Sequence, residues 1–86
     1  RPGSQFQSNE ELVQEGSKFT QTIFHPVGTC KMGSDENAVV NDKLKVKGIK
    51  NLRVIDASIM PNITSGNTNA PTIMIAEKGA DMILKN

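Results

Sequence analysis

Tryptophan and tyrosine are missing from this chain, and three phenylalanines are its whole aromatic complement. Large rings bury the most apolar area per residue, so a core without them has few anchors, and 86 residues leave a self-sufficient fold marginal. The single cysteine, Cys30, excludes an internal disulfide, the usual staple of small secreted scaffolds. A charge excess is missing too. The net charge is +1 and the lysines are scattered, which leaves neither a basic footprint for a phosphate backbone nor an acidic tail, and nucleic acid is not an expected partner. No apolar run approaches the roughly 20 residues of a membrane-spanning helix, and no targeting segment is recognisable. The first residues are Arg-Pro-Gly rather than Met, so we expect a piece of a longer polypeptide.

What is present falls into a simple order. Residues 1 to 9 are polar and carry Pro2 and Gly3, as a loop does; Asn9 is a candidate cap for a short helix over residues 10 to 18, which Gly16 and a sparse apolar face weaken. Residues 19 to 24 interleave apolar and Thr/Gln positions in a strand-like way. Gly33 to Asn37 is a polar turn cluster. Leu44 and Val46 alternate with Lys43, Lys45 and Lys47, the period of a half-buried strand that Gly48 ends, and residues 52 to 55 form a short apolar strand running into Asp56. There is no internal repeat. The clearest helix is the last: Asn69 is a candidate N-cap, Pro71 is tolerated in the first turn, and Ile73, Ala76, Ala80 and Ile83 recur at helical spacing up to about Leu84. Together these elements predict a mixed α/β fold, an α+β arrangement of short strands with a solid C-terminal helix.

Two stretches hold polar groups on a backbone punctuated by Pro and Gly. His25 lies in Thr22 to Gly33, and Pro26 pushes it out of helical geometry, to a strand end opening into a loop. Imidazole there has the chemistry to take or give a proton near neutral pH; a satisfied core or surface histidine is the alternative. Asn67 lies just before the last helix, whose N-terminus presents unsatisfied N–H groups and partial positive charge to an anion or an electron-rich ligand edge. Its alternative role, with Asn69, is capping alone.

Other chemistries fit the spacing poorly. Gly28 and Gly33 have the outer positions of a phosphate-binding loop, but Ser34-Asp35 stands where Lys and Ser/Thr are required. A metal site from His25 and Cys30 lacks third and fourth ligands, so no metal is expected. A Cys30 nucleophile with His25 as its base would need two groups five residues apart in one extended segment to meet.

The blocks HPVGTCKMG (residues 25 to 33), LKVKGIKNLRVIDASIMP (44 to 61) and SGNTNAPTIMIAEKGADMI (65 to 83), in this order and spacing, resemble the C-terminal signature of the glucose-methanol-choline (GMC) family of FAD-dependent oxidoreductases, in particular its glucose dehydrogenase-like and choline dehydrogenase-like members. The resemblance covers residues 22 to 86 and is loose over residues 1 to 21. It implies that His25 is the catalytic histidine and Asn67 the second active-site position, which family members fill with His or Asn. It also implies that Asp56 and Ala57 touch the ribityl and diphosphate part of FAD, and that Asn69, Ala70 and Pro71 form the helix start facing the flavin ring. For Asp56 a turn or cap carboxylate is the equal alternative. The implied activity is oxidation of the CH–OH group of an alcohol or sugar, by a dehydrogenase or an oxidase. No Gly-x-Gly-x-x-Gly turn occurs in the chain, so its implied partner is the remainder of a parent flavoprotein with a dinucleotide-binding domain, and these residues alone are expected to be inactive and to hold no FAD. The other reading is a small non-catalytic binding or interaction protein derived from such an enzyme.

Overall fold

A computed structural model describes residues 1–85, so that Asn86, the last residue of the 22–86 region, lies outside it. Helix α1 spans Asn9–Ser17, and its cap is Ser8, one residue before the expected Asn9. The reason is a capping box. The Glu11 N–H donates to Ser8 Oγ at 3.2 Å and the Ser8 N–H donates back to the Glu11 carboxylate at 3.4 Å, satisfying two orphan donors that an Asn9 cap would leave open. α1 buries none of its residues and packs against neither of the other helical elements.

The strand expected over residues 19 to 24 does not form. The N–H and hydroxyl of Thr20 both return to the Gly16 carbonyl, at 2.9 and 2.8 Å, and Phe24 takes φ 65°, a left-handed value that breaks an extended run. Strand-forming side chains are insufficient where no second strand offers a ladder. His25 therefore follows a turn, tightened by the Phe24 N–H donating to Thr22 Oγ1 at 3.0 Å, rather than closing a strand.

The other two expected strands do face one another, but only as isolated bridges. Lys45 pairs antiparallel with Arg53, Val40 antiparallel with Val46, and Met32 parallel with Val40. The Val46 N–H reaches Leu52 O at 2.9 Å and the Val54 N–H reaches Leu44 O at 3.1 Å, closing a hairpin whose connection holds Gly48 at φ 82° and Asn51 at φ 61°. Leu44 itself sits at φ 62°, because the Asn41 side chain and carbonyl gather the N–H groups of Lys43, Lys45 and Leu44 into a turn. That turn interrupts the predicted strand, yet Leu44 is still buried and Lys43 and Lys47 are exposed. The mixed α/β reading is thus met by its helices, with single bridges where strands were expected.

A small core gathers Val40, Leu44, Ile59, Met60 and Ile75, with Val27, Met32, Val54, Ile55 and Met82 against it. A 3-10 helix over Ala57–Ile59 contributes Ile59, and the segment after His25 is pinned to it by Cys30 N–H to Ser58 O at 2.9 Å and Met32 N–H to Ile59 O at 2.8 Å. Helix α2 spans Asn69–Leu84 and packs on the 3-10 helix. It ends as the spacing predicts. It begins one residue off, since Thr68 occupies the N-cap position and Asn69 opens the first turn.

The buried face of α2 is Ile75 and Gly79, with Thr72 and Met82 half-buried beside them. The Ile73, Ala76, Ala80 and Ile83 stripe that marks the helix in the sequence lies roughly 100° round from this face. It is exposed, with Ile73 at 54% and Ile83 at 52%. The radius of gyration is 18.7 Å, against about 12 Å for a compact chain of this length, and the longest extent is 60 Å. None of the described helices is long and apolar enough to cross a membrane.

Gly79 is where α2 comes nearest to the rest of the core: a Cβ there would lie 2.5 Å from Ile55 Cγ2 and 2.9 Å from Cδ1. Ile55 is β-branched and stiff at χ1, so it yields little. Alanine at Gly79 should gain about 1 kcal/mol of helix propensity but lose about 1–3 kcal/mol to overpacking. Gly16 in α1 has nothing within 4 Å and keeps only the gain. Thermal unfolding of the longer polypeptide carrying this chain should therefore show Gly79→Ala lowering Tm and Gly16→Ala leaving it level or raising it. Stabilisation by both substitutions would contradict this packing.

Candidate active site

His25 and Asn67, 42 residues apart in sequence, meet in space: Asn67 Nδ2 lies 3.4 Å from His25 Nε2. The loop after His25 is held on the 3-10 helix, and α2 is packed on that same helix, so the core brings the start of α2 to the imidazole. Gly28 lies in this loop. At φ 94° it takes a conformation that side chains rarely adopt, and a Cβ there would lie 3.5 Å from the Met60 carbonyl.

Capping and a site role are not alternatives for Asn67. Its Oδ1 accepts the Asn69 backbone N–H at 2.8 Å, while its Nδ2 faces the imidazole. The first contact orients the amide, since only the oxygen accepts from an N–H, and the NH2 group is thereby turned toward His25. An NH2 group only donates, so this contact is a hydrogen bond when Nε2 carries the lone pair of the ring. The Nδ1 proton then points at Thr68 Oγ1, 2.6 Å away. The opposite tautomer would set an N–H against an NH2. His25 is half-buried and Asn67 exposed.

Thr68 is a residue that sequence reasoning missed. It stands between two asparagines at the start of a helix, where a threonine reads as a cap. It makes no side-chain cap bond. The signal lies only in the fold, which places His25 beside it.

The remaining candidates sit at two helix starts. Asp56 is the N-cap of the 3-10 helix, and its Oδ1 accepts both the Ser58 N–H, at 2.8 Å, and the Ser58 hydroxyl. Ala57 follows, half-buried. Asn69 and Ala70 are exposed at the first turn of α2 and Pro71 is half-buried. Cys30 is half-buried; its backbone is tied to Ser58, and the ring nitrogens of His25 are engaged by Thr68 and Asn67 instead. Among the described residues no three His, Cys, Asp or Glu side chains come together as metal ligands do.

The Ser58 hydroxyl and, next, its backbone N–H hold the Asp56 carboxyl below its ordinary value of 3.8. A depressed carboxyl contributes stability that is present above the unfolded value and is lost as pH falls through the folded one. The contribution is small, because the group is exposed and solvent-screened. The Tm difference between the parent protein and its Asp56→Asn variant should shrink as pH is lowered from about 6 to about 3. A difference that stays constant or widens over that range would show that the charge of Asp56 does not strengthen the cap.

The family model described as GMC oxidoreductase matches residues 1–76, taking in the 1–21 segment. An alcohol dehydrogenase (acceptor) of Pseudomonas putida is 54% identical over 84 residues, 98% of this chain and 15% of that protein. An oxygen-dependent choline dehydrogenase of Proteus mirabilis (strain HI4320) is 58% identical over 82 residues, 95% of this chain and 15% of that protein. Among solved structures, the pyridoxine 4-oxidase from Mesorbium loti superposes with a TM-score of 0.72 at 47% identity, over 74% of this chain and 13% of that one. The chain thus spans 15% of the length of these curated relatives.

Proposed function

The chain belongs to the GMC oxidoreductase family, and on that premise we propose that it is the C-terminal part of a FAD-dependent enzyme oxidising the CH–OH group of an alcohol or sugar. The observation that carries this reading is the contact of His25 Nε2 with Asn67 Nδ2, an unprotonated acceptor beside a donor. A substrate oxygen beside this pair comes within hydrogen-bonding reach of both atoms. His25 Nε2 takes the hydroxyl proton, and the Asn67 amide N–H donates to the same oxygen as negative charge develops on it. When bound, the flavin supplies the acceptor for the hydride that leaves the carbinol carbon.

The residues present fit part of a flavin site. Asn69 and Ala70 stand exposed at a helix N-terminus, whose partial positive charge suits an electron-rich ring edge. Asp56 offers an exposed, anchored carboxylate of the kind that accepts from sugar hydroxyls. The dinucleotide-binding turn is missing from this sequence, so the remainder of the polypeptide would hold the rest of FAD. The exposed apolar stripe of α2 and the extended shape support such a packing partner. The activities for which these relatives are named, on alcohols, choline and pyridoxine, agree on a hydroxyl-bearing small molecule.

Two substitutions in the full-length flavoprotein test this. His25→Ala should lower kcat/KM by roughly 10²–10⁴-fold with flavin content retained. Near-normal turnover would return His25 to a packing role. Asn67→Asp keeps an oxygen for the Asn69 N–H but replaces the donor with an acceptor, so Tm should hold while kcat falls by roughly 10²–10³-fold. Unchanged kcat with unchanged Tm would leave Asn67 a cap and nothing more.

A further inference from the structure

Thr68 occupies the N-cap of α2, is only 7% exposed, and makes no side-chain cap bond. Its φ of −85° and ψ of −2° are helical, whereas a capping side chain needs the extended backbone that brings its oxygen over the first turn. The Asn69 N–H, an orphan donor of the first turn, is taken by Asn67, and Pro71, at the third helical position, has no N–H for a cap to serve. The Thr68 hydroxyl is spent 43 residues away, 2.6 Å from His25 Nδ1. A buried hydroxyl needs a partner, and here it has found the one ring in the chain that exists in two tautomers.

We propose that Thr68 is a positioning residue for His25: its Oγ1 accepts the Nδ1 proton and so holds the imidazole in the tautomer that presents the Nε2 lone pair to the substrate hydroxyl. The inference rests on the reading of His25 as proton acceptor. Its geometry follows from a relay of fixed directions. The Asn69 N–H orients the Asn67 amide, the Asn67 NH2 requires an unprotonated Nε2, and the proton left on Nδ1 requires an acceptor, which Thr68 supplies. Asn67 thus selects the tautomer, and the Thr68 hydroxyl, which can accept as well as donate, receives the Nδ1 proton which that tautomer leaves. They also bracket the imidazole from consecutive residues, so a shift of the α2 start would move both partners together.

Valine in place of Thr68 keeps the shape and removes the acceptor; serine keeps the acceptor. In the full-length holoenzyme, Thr68→Val should lower kcat by about tenfold, the rate equivalent of one lost hydrogen bond, with little change in KM, flavin absorbance or Tm. Thr68→Ser should restore kcat to near the parent value. Unchanged kcat in Thr68→Val, or an equal loss in both variants, would overturn the proposal. A positioning residue acts only through the ring it positions, so Thr68→Val should add nothing in a His25→Ala background, and a further loss there would also overturn it. If His25→Ala itself turns over normally, the proposed function fails and the positioning role falls with it; if His25→Ala is inactive and Thr68→Val is unimpaired, only the positioning role fails. Histidine ring ¹⁵N spectra of the wild-type holoenzyme, with the His25 signals assigned by their loss in His25→Ala, need no Thr68 variant. Neutral His25 should carry its proton on Nδ1, and a proton on Nε2 would contradict the assignment.

Discussion

The 2.8 Å hydrogen bond from the Asn69 backbone N–H to Asn67 Oδ1 sets the direction of the amide that faces the imidazole. A free asparagine amide presents its oxygen or its nitrogen with equal ease. Once the oxygen is committed to the helix terminus, the nitrogen has one way to face, toward His25 Nε2. The helix start thus does two things with one side chain. It satisfies an orphan donor of α2, and it converts that local need into an oriented donor on the surface where the His25 lone pair is presented.

This arrangement needs the two sequence blocks to stay in register, and the chain does that with little material. Two backbone hydrogen bonds tie Cys30 and Met32 to the 3-10 helix, and Ile59 and Ile75 share the small core on which α2 rests. The core is too small to account for the rest of the chain: α1 buries nothing, and α2 turns a second apolar stripe outward. A chain organised in this way has a local framework around its site and large surfaces suited to packing against further polypeptide, in keeping with relatives of which it spans 15%.

Much of the candidate site was legible in the residues because Pro, Gly and helix-start chemistry act locally. Pro26 excludes a helix at His25, and the Asn67 to Pro71 run announces α2, so both candidates lay where the fold brings things together. Failures came where non-local pairing decides. Residues 19 to 24 have strand composition and no strand to pair with, and the Leu44 alternation survives in burial although a turn at Asn41 breaks the strand itself. α2 has two apolar faces about 100° apart, and periodicity finds the helix without saying which face meets this core. Ser8 displaced Asn9 as a cap because a reciprocal bond with Glu11 outbids a single one. Thr68 was invisible for a different reason: its partner lies 43 residues upstream, and nothing in the run Asn-Thr-Asn distinguishes a threonine that caps from one that holds a ring.

The central claim is that one substrate oxygen is received jointly by His25 and Asn67. Its most direct test is a crystal structure of the full-length flavoprotein with an alcohol analogue bound. The account predicts a ligand oxygen within about 2.6–3.2 Å of both His25 Nε2 and Asn67 Nδ2, with Asn67 Oδ1 still on the Asn69 N–H. A ligand oxygen that touches neither atom, or an Asn67 amide turned so that its oxygen faces the imidazole, would contradict it.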